Sequence, residues 1–280
     1  MANEKEENSS KSSLFQQIME KIPVVILCGG QGTRMRGGTL TQKNLVPVGG
    51  RPIVWHVMSI FSVYGFNHFI LTLGYGGEQL RRYFLDYEAM TRNYTVRLGN
   101  HDDSSRFQYH TDINHPSWEV VLVDTGQNTE KASRIARVRD HLEGNRFIVA
   151  YGDDVSDVNI NALVDFHQRH GKMATITAVQ VTLEYGVVEA DEAGQVSGFV
   201  ERPQLPYWIN GGFMLFEQTV LDLMVDGDDV NLETEVLPQL AQDGQLMMYQ
   251  HTGFWQSMNT MKDNMLLEEL WRKGAPWKVW

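Results

Sequence analysis

A short β-branched run followed at once by a glycine-rich bend constrains the fold of this chain more than any other feature. The run is VVILC at 24–28, and the bend is GGQG at 29–32. Such runs are typical of strands buried in a parallel sheet, and open α/β sheets bind ligands at the turn after the first strand. Taken alone, however, glycines in this place favour a tight turn that binds nothing.

The segments after the bend alternate between helix and strand patterns. A helical pattern begins with proline at 51–65, an apolar run at 68–76 predicts a second strand, and 77–90 predicts a second helix. This order predicts an α/β fold with a doubly wound, mostly parallel sheet. Residues 92–124 contain short alternating runs, for which we expect partly antiparallel strands. From about residue 182 the pattern is strand-rich, and we expect both halves to share one sheet.

Net charge and cysteine content exclude several classes of partner. The 280 residues carry a formal net charge of −11, which argues against nucleic acid or an anionic membrane as the partner. No apolar run approaches the roughly 20 residues that span a bilayer. The single cysteine, Cys28, excludes an intrachain disulfide and a cysteine-based metal cage, and a cytoplasmic location is expected. His167 and His170 lack an evident third metal ligand, and we interpret them as surface residues.

Two groups of polar residues follow predicted strands. Thr33, Arg34 and Lys43 add a hydroxyl and two cations close to the glycine bend, where backbone N–H groups can approach phosphate oxygens. Asp153 follows the buried run at 146–150, so its carboxylate is expected at the same edge of the sheet. Gly-Asp-Asp alone favours a polar turn. Beside a cationic glycine loop, a Mg²⁺ site made of Asp153 and substrate phosphates is the better interpretation.

Several motifs together resemble those of the sugar-1-phosphate nucleotidyltransferases. They are LCGGQGTRM at 27–35, the stretch from Lys43 through LVPVGGRPIVWHVM, and YGDDVSD at 151–157. VDTG at 123–126, GFWQ at 253–256 and the tail LWRKGAPWK point to the cytidylyltransferase branch. The resemblance runs from Val24 to the C-terminus. It implies a Rossmann-like nucleotidyltransferase fold with a strand-rich sugar-binding portion.

We expect the chain to divide into three portions. Residues 1–21 are expected to be a flexible extension or, alternatively, a small interaction arm; their polar sequence lacks the apolar core of a signal peptide. Residues 22–158 would bind the nucleotide, and 159–280 would bind the sugar phosphate and form a homo-oligomer.

The resemblance also implies a reaction. In this reaction, an oxygen of a sugar 1-phosphate attacks the α-phosphorus of a nucleoside triphosphate and pyrophosphate leaves. CTP and a hexose 1-phosphate such as glucose 1-phosphate are the favoured substrates.

The family roles can be transferred to individual residues. Arg34, Lys43 and Asp153 are the catalytic candidates, with Asp153, and with less support Asn259, as ligands of Mg²⁺. The nucleotide-binding candidates are Leu27, Cys28, Gly29, Gly30, Gln31, Gly32, Thr33, Arg34, Lys43, Thr129, Arg134 and Gly152. The sugar-phosphate-binding candidates are Gly186, Glu201, Arg202 and Asn210.

Four places depart from the family pattern. An acid-rich stretch with two lysines is replaced by MRGGTLTQKN at 35–44, which keeps only Lys43. Arg202 replaces the lysine of a Glu-Lys-Pro motif, which retains the charge with a different geometry. KASR at 131–134 replaces Thr-Gly-Gly-Arg, and we expect its alanine and serine to add bulk where a base or sugar passes. Asn259 replaces a metal-binding aspartate, so this site loses a formal negative charge.

Three interpretations of Asn259 stay open. In the first, the site binds Mg²⁺ more weakly through Asp153, triphosphate and water; in the second, the change accompanies a different phosphorylated acceptor; in the third, the chain is a non-catalytic binding homologue. The first two are compatible with each other. The changes at 37–44, 131–133 and 202 favour, as an alternative, a transferase for another nucleotide or another phosphorylated acceptor. A dinucleotide oxidoreductase is disfavoured because the glycine spacing G-G-x-G-T-R does not match the G-x-G-x-x-G fingerprint.

Overall fold

The computed structural model describes residues 22–30, 41–99, 106–110, 117–224 and 229–280. The strands, in chain order, are β1 (Val24–Leu27), β2 (Pro47–Val48), β3 (Arg51–Pro52), β4 (His68–Leu73), β5 (Tyr94–Val96), β6 (Phe107–Tyr109), β7 (Glu119–Asp124), β8 (Arg146–Tyr151), β9 (Asp154–Ser156), β10 (Ala174–Val179), β11 (Val187–Ala190), β12 (Val196–Val200), β13 (Ile209–Glu217), β14 (Leu246–His251) and β15 (Trp255–Ser257).

The helices connect and flank these strands. The α-helices are α1 (Ile53–Ser62), α2 (Gly77–Leu85), α3 (Tyr87–Thr91), α4 (Lys131–Ala136), α5 (Ile160–His170), α6 (Leu237–Gln242) and α7 (Met261–Arg272). A π-helix at Leu232–Val236 precedes α6, and 3₁₀ helices lie at Lys43–Leu45, Arg139–His141 and Gln218–Leu223. The predicted helices at 51–65 and 77–90 are thus present, the second as the pair α2 and α3.

Seven strands form one mixed sheet in the order β14-β10-β13-β8-β1-β4-β7. β1 pairs parallel with both β4 and β8, and β4 pairs parallel with β7. β13 is antiparallel to both of its neighbours, β8 and β10. Strands from 22–158 and from 159–280 therefore lie in a single sheet, which confirms the prediction that both halves share one.

Short two-stranded ribbons lie outside the main sheet. β5 pairs antiparallel with β6, which confirms the expectation of partly antiparallel strands in 92–124, whereas β7 from the same segment joins the parallel edge. β9 pairs with β15, and this ribbon carries residues after Tyr151 towards the C-terminal segment. β11 pairs with β12 as a separate ribbon. The site described below lies near the β9–β15 ribbon.

Side chains alternate between two hydrophobic cores on opposite faces of the sheet. Val24 and Ile26 of β1 enter the first core, whereas Val25 between them enters the second. This period of two is the geometry of a strand buried on both faces. Helices α1, α5 and α7 cover the first core, and α4 with the 232–242 helices covers the second. Helices on both faces confirm the predicted doubly wound arrangement.

Two histidines on these helices are buried. His56 in α1 is fully buried, and its Nε2 lies 2.8 Å from the carbonyl oxygen of Val48. His167 in α5 is also fully buried, with Nδ1 2.7 Å from the Thr175 hydroxyl and Nε2 3.1 Å from Glu217. The interpretation of His167 as a surface residue was wrong. Its helix face packs against β10 and β13 because the apolar residues at 160, 163 and 164 share that face.

Candidate active site

A cavity of about 510 Å³ lies at the carboxyl ends of β1 and β8, where β13 begins. Residues from the glycine bend, from the Lys43 segment, from the start of α4 and from the β9–β15 ribbon line it. This is the edge at which the sequence predicted a ligand site. Gln31, Gly32, Thr33 and Arg34 lie outside the described residues, so their predicted roles stay predictions.

Lys43 and Asp153 form an ion pair in this cavity, although 110 positions separate them in the chain. The same ammonium donates a hydrogen bond of 3.0 Å to Oδ1 of Asn259. The predicted convergence of Lys43 and Asp153 on one sheet edge is therefore observed. Asn259 joins them there, as the resemblance implied for the residue in the metal-aspartate position.

The side-chain amide of Asn259 has a defined orientation. Its Nδ2 donates to the Ser257 hydroxyl at 2.9 Å, so Oδ1 faces Lys43. Its backbone N–H donates to Asp263 at 2.9 Å, within the capping box that begins α7 at Thr260. Because the N–H of Met258 also donates to the carbonyl oxygen of Asp153 at 2.9 Å, the two oxygen-bearing side chains are held beside each other by backbone structure.

The Asp153 carboxylate and the Asn259 amide oxygen are the kind of ligands that Mg²⁺ prefers. The Lys43 ammonium already makes contact with both oxygens, which demonstrates that a cationic group fits between them. In the described part of the chain, no group of three His, Cys, Asp or Glu residues could hold a metal ion by itself. A Mg²⁺ ion at these residues would therefore need further oxygens from substrate or water.

Asp154 is a buried carboxyl group beside Asp153 that the sequence argument did not single out. Burial, and then the negative charge of Asp153, raises the pKa of Asp154 well above its usual range. The Ser257 hydroxyl, to which it is hydrogen-bonded, opposes this shift. The Gly-Asp-Asp sequence contained the signal for this residue, because β9 begins at Asp154 and turns its side chain into the fold.

The backbone around Lys43 is held by Gln42 and Asn44. Gln42 Nε2 donates to the carbonyl oxygen of Cys28 at 2.8 Å, and Asn44 Nδ2 lies 3.4 Å from Cys28 Sγ. A Cβ on Gly152 would lie 1.9 Å from Asn44 Nδ2, so only glycine leaves room for this contact. Cys28 and Gly152, predicted as nucleotide contacts, do not line the cavity but pack against the segment that presents Lys43; their predicted nucleotide contacts stay predictions.

Arg134 connects the loops that follow three parallel strands. Its two terminal nitrogens donate to five oxygens, which belong to Leu73, Thr125 and Gly126 on one side and to Gly29 and Gln127 on the other. A Cβ on Gly29 would lie 2.2 Å from Arg134 Nη1, so the glycine is needed for this packing. Burial lowers the pKa of Arg134. The guanidinium therefore positions the loops around the cavity.

The wall of the cavity beside β13 includes Tyr151, Asn210 and Lys131. Glu233 does not line the cavity but contacts Tyr151 and Lys131. Asn210 Nδ2 donates to the Tyr151 hydroxyl at 3.3 Å, and that hydroxyl donates to Glu233 Oε1 at 2.5 Å. The Lys131 ammonium pairs with the same carboxylate oxygen and lies 4.7 Å from the centre of the Tyr151 ring. Burial opposes ionisation of Glu233, but the hydrogen bonds from Lys131 and Tyr151 outweigh it and lower its pKa.

The KASR segment differs from what we expected. Ala132 and Ser133 are buried, with Ala132 in the second core and the Ser133 hydroxyl accepting from the Val230 N–H at 2.8 Å. They do not add bulk to the cavity, because the helical turn of α4 directs them into the core and leaves Lys131 at the cavity wall. Lys131 was not among the predicted site residues, although it occupies the position of the threonine in the family pattern Thr-Gly-Gly-Arg.

The structure brings some of the other predicted residues to the cavity and leaves others away from it. Leu27, Gly29, Gly30 and Thr129 line it, as does Asn210 from the sugar-phosphate group. Gly186, Glu201 and Arg202 lie at one end of the β11–β12 ribbon and do not line the described cavity. The Arg202 side chain is 72% exposed. The sugar-phosphate roles of these three residues stay predictions.

The sequence of this chain is similar to those of known proteins over almost its whole length. The nucleotidyl transferase family profile matches residues 23–265, which is most of the chain. A glucose-1-phosphate cytidylyltransferase of Salmonella typhi is 42% identical over 260 residues, covering 91% of this chain and 98% of the relative. The chain belongs to the nucleotidyl transferase family. Within this family, a probable glucose-1-phosphate cytidylyltransferase of Bacillus subtilis is 36% identical over 91% of this chain and 99% of its own length.

Solved structures of the same fold also match this nucleotidyl transferase. HddC from Yersinia pseudotuberculosis has a TM-score of 0.63 at 21% identity, covering 89% of this chain and 99% of that protein. A putative glucose-1-phosphate thymidylyltransferase from Bacillus anthracis also has a TM-score of 0.63, at 16% identity over 89% of this chain and 96% of its own. These matches confirm the predicted fold class. In the described residues, no helix is both long and apolar enough to cross a membrane.

Proposed function

We propose that this nucleotidyl transferase joins CTP to a sugar 1-phosphate, with glucose 1-phosphate as the first candidate, and releases pyrophosphate. The observation that carries the proposal is the convergence of Lys43, Asp153 and Asn259 at one end of a cavity at the carboxyl edge of the sheet. The glucose-1-phosphate cytidylyltransferases that match nearly the whole chain support this choice of substrates.

The reaction needs charge neutralisation more than proton transfer. An oxygen of the sugar phosphate forms a new bond to the α-phosphorus of CTP, and the bond from that phosphorus to the β-phosphate bridging oxygen breaks. The attacking phosphate oxygen is already ionised near neutral pH, since the second pKa of a phosphate monoester is about 6. No general base has to remove a proton, so the task of the protein is to align two anions and stabilise the charge between them.

The residues of the cavity suit this task. Gly29 and Gly30 follow the carboxyl end of β1, where their backbone N–H groups can face phosphate oxygens. In the free protein the Lys43 ammonium contacts Asp153 and Asn259. We propose that it binds the triphosphate when the substrate competes with these two residues for the ammonium. Arg34, outside the described residues, remains the second predicted phosphate ligand. Leu27 and Thr129 are assigned to the nucleoside end of the cavity.

Asp153 and Asn259 are proposed to hold Mg²⁺ together with the triphosphate. Bound there, the ion would neutralise phosphate charge and increase the electrophilicity of the α-phosphorus. Asn259 contributes an oxygen without a charge, so the protein itself supplies one formal negative charge through Asp153. Burial, and then the charge of Asp153, raises the pKa of the neighbouring Asp154 and so opposes its ionisation.

Another nucleotide or another phosphorylated acceptor is the second candidate. A mannose-1-phosphate guanylyltransferase catalytic subunit beta of Xenopus tropicalis is 31% identical over 90% of this chain and 67% of its own length. The presence of Lys131 on the cavity wall, where the family has threonine, favours an acceptor side that differs from the family pattern. The test below therefore varies both substrates.

The first experiment measures pyrophosphate release with Mg²⁺ from CTP, UTP, dTTP and GTP, each combined with a panel of sugar 1-phosphates. We expect turnover with CTP and a hexose 1-phosphate. Asp153→Asn should abolish it, whereas Asp140→Asn, the same change at an exposed site, should leave it unchanged. Turnover with a different pair would support the second candidate. Binding of nucleotide without turnover of any pair would overturn the enzymatic proposal and favour a binding protein.

A homo-oligomer remains part of the proposal. Several apolar side chains on the β11–β12 ribbon are exposed, including Val188 at 55% and Phe199 at 63%. An isolated two-stranded ribbon is marginally stable in water, so burial of these side chains against a second copy of the chain would stabilise it.

A further inference from the structure

The acceptor of the proposed reaction brings a phosphate monoester, with close to two negative charges at neutral pH, next to a triphosphate. A cation on the acceptor side of the cavity would offset this repulsion. Among the described residues that line the cavity, the cationic ones are Lys43, Lys131 and Arg134. The donors that each of them already uses decide which one can bind the acceptor phosphate.

Two of these cations are committed elsewhere. Lys43 shares its ammonium between Asp153 and Asn259, at the end of the cavity assigned to the triphosphate and Mg²⁺. Arg134 directs its two terminal nitrogens at five protein oxygens and is 4% exposed. Turning that guanidinium towards a ligand would leave several buried carbonyl groups without donors, which is costly. Arg134 is therefore a positioning residue.

Lys131 differs from both of them. Its ammonium has three N–H donors, and Glu233 accepts one of them. Its side chain is 44% exposed and lies over Tyr151, whose hydroxyl accepts from Asn210 at 3.3 Å. Asn210 is the one predicted sugar-phosphate residue that lines the cavity. Lys131 thus borders the acceptor side and retains donors for a ligand.

Arg202 occupies the position of the family cation that binds the acceptor phosphate, and it lies away from the cavity. Arg202 replaces the lysine of the Glu-Lys-Pro motif, its side chain is 72% exposed, and it does not line the cavity. Its backbone has a φ of 49°, in the left-handed region that L-residues seldom adopt. Among the described residues, the cation at the Glu-Lys-Pro position does not border the acceptor side, whereas Lys131, at a position where the family has threonine, does.

We propose that Lys131 binds the phosphate of the acceptor and takes the role that Arg202 has in the family pattern. Two residues position the ammonium of Lys131. The Glu233 carboxylate forms an ion pair with it, and the Tyr151 ring presents its π-face to it. This inference rests on the proposed transferase function and identifies a specificity-determining residue for its acceptor.

The test compares Lys131→Met with Arg202→Met in steady-state kinetics, using CTP and the sugar 1-phosphate that the wild-type enzyme uses, with glucose 1-phosphate tried first. Loss of a charge-assisted hydrogen bond should raise the KM for the acceptor about tenfold or more in Lys131→Met. The KM for CTP should stay within about twofold, and the KM for the acceptor should rise more in Lys131→Met than in Arg202→Met. Lys131→Arg, which keeps the charge, should restore most of the affinity.

The remaining outcomes also decide the question. If Arg202→Met raises the acceptor KM and Lys131→Met does not, the assignment to Lys131 is overturned while the transferase function stands. An equal rise of both KM values in Lys131→Met would indicate a general structural role and would also overturn it. If Lys131→Met does not fold, Lys131→Gln is measured in its place. A wild-type protein that uses no sugar 1-phosphate would overturn the proposed function and this inference together.

Discussion

Lys43 donates a hydrogen bond of 3.0 Å to the side-chain oxygen of Asn259, a residue 216 positions later in the chain. The same ammonium pairs with Asp153. A lysine thus lies between the two oxygens that we assign to Mg²⁺. We therefore expect the metal and Lys43 to compete for one place in the free protein, and the triphosphate to resolve this competition by offering Lys43 another anion.

The first prediction concerns metal binding without nucleotide. Lys43→Met should raise the affinity for Mn²⁺ about tenfold or more, because removing a unit charge at contact distance changes the free energy by several kcal/mol at an effective dielectric constant of about 20. Electron paramagnetic resonance of free Mn²⁺ measures this directly. Lys273→Met, at an exposed site, serves as the control. Equal Mn²⁺ affinities for Lys43→Met and wild type would contradict the competition.

The second prediction concerns Gly152. In Gly152→Ala, the added Cβ would lie 1.9 Å from Asn44 Nδ2 and would displace the segment that presents Lys43. We expect a loss of about 1–3 kcal/mol in the free energy of unfolding, typical of overpacking, together with a lower kcat. Urea denaturation measures the first effect. Gly30→Ala, where a Cβ meets nothing within 4 Å, should retain wild-type stability, and a similar loss there would point to another cause.

The third prediction concerns pH and His56. Burial, reinforced by the positive charges of Arg51 and Lys278, lowers the pKa of His56 to about 4 from its ordinary value of 6.5, although carbonyl groups of Val48 and Arg51 oppose the shift. The unfolded chain therefore takes up a proton at this site below pH 6.5, whereas the folded protein does so only near pH 4. Acidification through this window must destabilise the fold.

The measurement compares the free energies of unfolding of wild type and His56→Gln between pH 7 and 4. We expect the advantage of the wild type over the variant to shrink by at most about 1.4 kcal/mol per pH unit below 6.5. The glutamine can still donate to the Val48 carbonyl group without titrating. Parallel pH profiles for the two proteins would show that His56 carries none of this dependence.

The fourth prediction concerns assembly. If the β11–β12 ribbon forms an interface between copies, Phe199→Asp should lower the molar mass measured by light scattering towards the 32.0 kDa of one chain. Met265→Asp places the same charge at another exposed apolar residue, on α7, and should leave the assembly intact. A wild-type protein that is already monomeric, or a Met265→Asp variant that dissociates equally, would contradict an interface at this ribbon.

Much of the fold could be predicted because it depends on local patterns. The β-branched run of β1 and the helix patterns after it determined the strand and helix order, and the glycines of the bend marked the ligand edge. Lys43 and Asp153 could be placed together because residues after neighbouring parallel strands share one edge. The apolar residues at 160, 163 and 164 indicate the buried helix face on which His167 lies, but its partners Thr175 and Glu217 could not be predicted, since they come from strands whose pairing the sequence does not reveal.

The sequence by itself therefore determined the fold class, the family and the sheet edge that carries the chemistry. Only the tertiary structure decided which side chains complete the site. Arg134 donates hydrogen bonds to five protein oxygens, Ala132 is buried in the second core, and Lys131 lies at the cavity wall over the Tyr151 ring. The physical reason is that strand and helix patterns depend on residues that are neighbours in the sequence. The direction and partners of a side chain depend instead on elements that are distant in the sequence, as in the Lys131–Glu233 pair, whose members are separated by 102 positions.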